Sequence, residues 1–118
     1  FSFILLLDPL GYSLVQDRQV VEKSFANHAA TAIYQDGHTE IWFDSGFLAQ
    51  VYGDKELSKA WAACDLVHEG ANTRAWEKWR DTSEELALLY HYLCLDRVQA
   101  PSWMKEYVYK LLQEKVGK

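Results

Sequence analysis

Three groups of residues in this 118-residue chain have types and spacings that suit chemistry. His38, Glu40 and Asp44 fall at alternate positions of one β-prone run. A strand would present all three on one face, as a base, an orienting carboxylate and a ligand for water or a metal ion. Alternation also turns polar side chains to solvent by default, so a solvated face is the ordinary reading of the same pattern. Cys64 and His68 are one helical turn apart, as are His91 and Cys94, so two facing helices could offer two sulfurs and two imidazoles to a zinc ion. Those spacings are uncommon in zinc fingers and Cys64 and His68 lie on a stripe with a packing role, so core positions are expected, with no metal and no other cofactor. The same pairs could form a His-activated thiol. Such a thiol needs an accessible, electropositive setting, whereas Asp65 follows Cys64 and Cys94 sits in an apolar run.

The remaining motifs are weaker. Trp76 and Trp79, flanked by Arg74 and Arg80, could stack bases and hold phosphate, but a helical pair three residues apart is expected at a core edge with arginine stacked on it. No serine lies in a Gly-x-Ser-x-Gly elbow, and no glycine in a Gly-x-Gly-x-x-Gly or Walker pattern.

The elements that position these residues begin with Ala30 to Phe43, two β-prone runs separated by Asp36-Gly37, a strong hairpin signal. A two-residue loop pairs Gln35 with His38, Ile33 with Glu40 and Thr31 with Trp42. Ala30, Ala32, Tyr34, Ile41 and Phe43 then face the core. Thr31, Ile33, Gln35, His38, Glu40, Trp42 and, if the strand runs on, Asp44 face outward. His38, Glu40, Trp42 and Asp44 are the expected partner-binding residues, because Trp42 amid acids is either covered or a binding anchor.

The apolar run Phe1 to Leu7 is expected as a strand ended by turn chemistry at Asp8-Pro9, too short to span a membrane and without a signal-peptide pattern. The spacing of Val21, Phe25, His28 and Ala29 predicts a helix over about 17–29. Phe47, Leu48, Val51 and Tyr52 suggest a short helix stopped by Gly53. Leu57, Trp61, Cys64 and His68 form the stripe of the next, which Asp54 would cap and Gly70 would end. Asn72 could open a separate segment holding Trp76 and Trp79. Residues 84–97, apolar almost all round, are the expected central helix, and Pro101 opens the last. The stretch Val51 to Trp61 resembles the tyrosine-glycine-acidic helix of the barstar nuclease inhibitors over about a tenth of the chain. The spacing after the glycine and the element order differ, and no site is carried over.

Length predicts one domain, residues 1–118, burying about two-thirds of its unfolded surface. The expected fold is α+β: a small antiparallel sheet, made of the N-terminal strand and the 30–43 hairpin, packed against four or five C-terminal helices. The net charge of −5 is uneven, at −1 over residues 1–35, −5 over 36–69 and +1 over 70–118. An acidic middle repels phosphate and attracts a basic surface. Two cysteines on helices point to reduced thiols and a cytoplasmic setting. The expected function is therefore a small acidic binding or inhibitor module that occupies the basic surface of a protein partner, such as a nucleic-acid enzyme or toxin, with no nucleic acid and no membrane bound. The alternatives are a small hydrolytic, metal-dependent or metal-free enzyme using His38, Glu40 and Asp44, and a homo-oligomeric structural subunit.

Overall fold

The computed structural model describes residues 2–47 and 55–117, with side chains described over 4–47 and 59–117. Two short helices, α1 (Ser2–Leu5) and α2 (Pro9–Ser13), precede three strands, β1 (Val20–Glu22), β2 (Ala29–Ile33) and β3 (Thr39–Phe43). Residues 45–47 are helical. Three long helices complete the chain: α3 (Lys55–Trp79), α4 (Glu85–Arg97) and α5 (Ser102–Val116). The α+β class and the C-terminal helical layer are as expected. No helix among the described residues is long and apolar enough to cross a membrane.

The sheet is mixed, in the order β1-β3-β2, with β2 antiparallel and β1 parallel to β3. Its third strand is therefore Val20–Glu22 and not the N-terminal run. Phe1 to Leu7 has no alternation, and a continuous apolar run fits a strand or a buried helical turn equally well. The end of the run decides between them. Asp8 accepts from the Gly11 amide at 3.1 Å and Pro9 opens α2, so the chain folds back within one turn, burying Leu5 at 2% exposure. Arg97 at the end of α4 then pairs with the buried Asp8 at 2.7 Å. The predicted helix over 17–29 is also absent. The open edge of β3 captures this segment instead, through Ile41 N–H to Gln19 O and Lys23 N–H to Phe43 O, both at 2.9 Å. Tertiary pairing overrides a weak helical period.

The hairpin differs from the two-residue expectation by one position. Tyr34 N–H donates to His38 O and Gly37 N–H to Tyr34 O, giving a three-residue loop, Gln35-Asp36-Gly37. Gly37 has φ 93°, so only the glycine takes the left-handed conformation, whereas a two-residue loop would force it on Asp36 as well. The Asp36 carboxylate accepts the His38 amide at 3.0 Å and fixes the turn. The shift leaves β3 with its expected parity, Ile41 and Phe43 inside. It reverses β2: Thr31 now pairs with Ile41 and Ile33 with Thr39, and both turn toward α3. Tyr34, expected inside, lies on the outer face and donates to Glu40 at 2.6 Å.

A single helix, α3, runs through Gly70, where a helix end was expected, and carries Trp76 and Trp79 on its final turns. Gly70 is a close-approach residue: a Cβ there would meet the Leu14 carbonyl oxygen at 2.6 Å. Alanine in an open helix interior gains about 1 kcal/mol over glycine. At Gly70 that gain is outweighed by displacing the segment after α2. Gly70→Ala is expected to lower stability by about 1–2 kcal/mol net, read as a lower urea midpoint. The expected helix through Leu48, Val51 and Tyr52, its Gly53 stop and the Asp54 cap fall largely outside the described residues. As expected, α4 is the central helix, packed between α3 and α5, with Ala87, Leu88, His91, Cys94 and Leu95 buried. Pro101 stands immediately before α5, which inserts Met104 and Val108 into the core.

Candidate functional site

The first and second long helices place four chemically active side chains along one seam. On α3, Trp61, Asp65, His68 and Glu69 recur at the spacing of one helix face, and α4 turns His91 toward them. With His28 from the start of the sheet, and Leu88, Trp103, Tyr107, Val108 and Leu111, they line a cavity of about 360 Å³. Its walls are aromatic and aliphatic. Its floor is polar.

Hydrogen bonds link the groups on the floor. Glu84 lies 2.6 Å from His68 Nε2, and that bond holds its carboxyl below the usual range, so Glu84 is an ionised acceptor and His68 donates from Nε2. His68 Nδ1 and His91 Nδ1 share a hydrogen bond across 3.1 Å. His91 Nε2, on the other side of its ring, is buried and without a hydrogen-bond partner. Burial first, and the neighbouring His68 and His28 after it, push the His91 pKa well below its ordinary value, so the ring stays neutral. On the opposite side, Trp61 Nε1–H donates to His28 Nδ1 at 3.0 Å, and burial lowers the pKa of His28 as well.

Asp65 sits between these two rings, 8% exposed, with Oδ2 at 3.7 Å from His28 Nδ1 and Oδ1 at 3.9 Å from His91 Nε2. At these distances neither ring donates a hydrogen bond to the carboxyl, and His28 Nδ1 already accepts from Trp61. Burial, reinforced by the charge of Glu69, accordingly raises its pKa well above the normal carboxyl range, and Oδ2 is unpartnered. The floor thus combines a carboxyl whose ionisation burial opposes with an imidazole whose protonation burial opposes. His91 is oriented by His68 and Glu84 much as a base is oriented in a hydrolase triad.

The residues singled out from sequence are placed differently. Asp44 is 7% exposed and turned inward, against the outward face expected for it. Oδ2 accepts the Phe25 and Ala26 amides at 2.9 and 3.0 Å, and Oδ1 the Phe47 amide at 3.0 Å. These bonds, the Phe47 amide first, hold its pKa low. The strand ends at Phe43, so alternation stops one residue too early to turn Asp44 out. Glu40 stays on the outer face but accepts from Tyr34 and from Trp42 Nε1, at 2.6 and 3.3 Å. His38 pairs with Asp36 at 2.5 Å and stacks on Tyr34 with ring centroids 4.2 Å apart. His38 and Glu40 meet through Tyr34 while Asp44 is held inside by backbone amides, so the three form no common base-and-carboxylate site. Trp42 is half-buried, with Lys23 Nζ 4.1 Å above its ring and Phe25 edge-on at 5.9 Å.

Cys64, His68, His91 and Cys94 do meet at the α3–α4 seam, but as two stacked pairs. The sulfurs lie 2.7 Å apart as free thiols with 0% exposure, and the imidazoles bond to one another a turn away. Among the described residues no three His, Cys, Asp or Glu side chains are arranged to hold a metal ion. Burial beside Cys94 pushes the Cys64 thiol well up, the opposite of what a thiolate nucleophile needs. Arg80 stacks on Trp76 at 4.2 Å, the intramolecular arrangement expected for that motif.

Sequence reasoning passed over Asp65 and His28. Asp65 did carry a signal, an acid inside the apolar run Trp61 to Val67, where a carboxyl is buried unless the helix turns it out. His28 carried none, since its role depends on how the sheet docks. No family model, curated protein or solved structure matches this chain, so the argument for its function rests on the site alone.

Proposed function

We propose that the protein binds a small molecule in the α3–α4–α5 cavity and exchanges a proton with it through Asp65 and His91. One observation carries this reading: Asp65 Oδ2 and His91 Nε2 are both buried and unpartnered at the floor of one aromatic-walled cavity. Buried polar atoms are nearly always satisfied, and leaving two unsatisfied costs about 1–3 kcal/mol each. A ligand that supplies both partners recovers that cost. The cavity volume lies in the lower range for small-ligand pockets, and an acid beside an oriented base is the pairing that general acid–base work requires.

A fragment screen by protein-observed NMR tests it. Hits are expected to shift the Trp61 and Trp103 indole and His91 imidazole signals together. Hits confined to other surfaces, or none at millimolar concentration, would contradict the reading.

The acidic partner-binding module keeps one observation in its favour. No described helix packs on the outer sheet face, which carries Glu40, Trp42 and Tyr34 beside Val21, Ala30 and Ala32. Its acid complement is smaller than the sequence suggests, because Asp44 is occupied inside and Asp65 is buried among the helices. If this face captures a basic partner, Glu40→Lys is expected to abolish capture in a pull-down with the fold intact; retained capture would remove the face from consideration.

A further inference from the structure

The chain has two cysteines, Cys64 on α3 and Cys94 on α4, 30 positions apart in sequence. Their side chains meet sulfur to sulfur where the two helices pack, with the Sγ atoms 2.7 Å apart. Nonbonded carbon atoms settle at about 3.5–4.0 Å and sulfur is larger, whereas a disulfide spans about 2.05 Å, so the pair stands inside ordinary contact and within reach of a bond. Both residues are 0% exposed in the main core cluster. With no third cysteine in the chain, each has one possible partner within it. One helical turn along the same seam, His68 and His91 share their 3.1 Å hydrogen bond. A covalent tie at the sulfurs therefore fixes the two helices beside the rings they align, whatever the cavity binds.

We propose that Cys64 and Cys94 are a cross-linking site, oxidised by a low-molecular-weight disulfide to a Cys64–Cys94 bond that fastens α3 to α4. The thiolate of one cysteine attacks the small disulfide, forms a mixed disulfide and releases one small thiol. The other cysteine then attacks the protein-side sulfur of that bond, closes the bridge and releases the second small thiol. The two protein thiols give up two electrons and two protons, and the small disulfide takes them up as two thiols. With both sulfurs shut off from solvent in the folded chain, the exchange belongs to folding, before α4 closes on α3. Once the core forms, the same burial shields the bond from reductants. The bridge also closes a 30-position loop in the unfolded chain and so stabilises the fold by removing open conformations.

The test refolds the wild-type chain from urea in mixtures of reduced and oxidised glutathione, quenches with acid, alkylates any free thiol in denaturant and reads the intact mass. The expected product is a monomer lacking two hydrogen atoms, with no alkyl group and no glutathione attached, formed even with reduced glutathione in about tenfold excess. Two alkylated thiols would show a pair of buried apolar side chains and overturn the proposal, as would glutathione-capped cysteines or disulfide-linked dimers. Thermal unfolding of the bridged chain against the same chain kept in a reductant supplies the second readout, with no substitution in the core. The bridged form is expected to melt about 10 °C higher. A bridge that forms but leaves the midpoint unchanged or lower would overturn its role in fastening the helices, because strain would then cancel the gain from loop closure.

Discussion

Asp65→Asn is expected to make the protein more stable at and above neutral pH, an unusual outcome for removing a buried ionisable group. The carboxyl keeps its proton in the folded state but loses it on unfolding above about pH 4, so the folded state binds the extra proton and stability falls as pH rises through the raised folded value. His91 and His28 act in the opposite sense. Their folded pKa values are depressed, so below about pH 6.5 the unfolded chain takes up protons the folded one refuses, and stability falls as pH drops. Below about pH 6.5 the two imidazoles therefore oppose the Asp65 trend. Above that range only Asp65 contributes among the three, with a loss of up to about 1.4 kcal/mol per pH unit. Wild-type stability is therefore expected to decline as pH rises above neutrality, until Asp65 ionises in the folded state. An asparagine amide fills the same space and has no proton to lose, so the variant is expected to hold its stability across that range. Urea denaturation at pH 6, 7 and 8 measures the difference, and parallel curves for the two proteins would remove Asp65 as the source.

The second large effect concerns the sheet. Ile41 is 0% exposed at the centre of β3, and Ile41→Ala is expected to cost about 2–5 kcal/mol through lost burial and the cavity left behind. Tyr34→Phe, on the outer face with its ring 37% exposed, is expected to leave the urea midpoint nearly unchanged. The contrast reports the three-residue loop, because a two-residue loop would place both side chains on the same face. A large loss at Tyr34 with a small one at Ile41 would contradict the register.

What was legible in the sequence follows a physical line. Signals carried by short-range chemistry held: Asp36-Gly37 marks a turn, Pro101 precedes a helix, and the apolar surround of 84–97 marks the central helix. Signals that depend on a distant partner did not. The strand at 20–22 exists because β3 has an edge to fill, and Gly70 is needed because Leu14 crosses the helix there. The same line divides the candidate sites. The alternation of His38, Glu40 and Asp44 is local and ends at Phe43. The acid–base floor joins His28, Asp65 and His91 from the sheet and two helices, and no spacing rule relates those positions. The seam of Cys64, His68, His91 and Cys94 was visible as two helical pairs. Its meaning depends on Glu84, from just before α4, and on Asp65 between the rings.

The account stands on the protonation of the cavity floor, and NMR observes it directly through the carboxyl carbon of Asp65 and the ring nitrogens of His91 between pH 5 and 8. The expected spectrum shows Asp65 holding its proton well above the ordinary carboxyl range and His91 staying neutral well below the ordinary imidazole range. An Asp65 that titrates near pH 4, with His91 taking up a proton near pH 6.5, would contradict it.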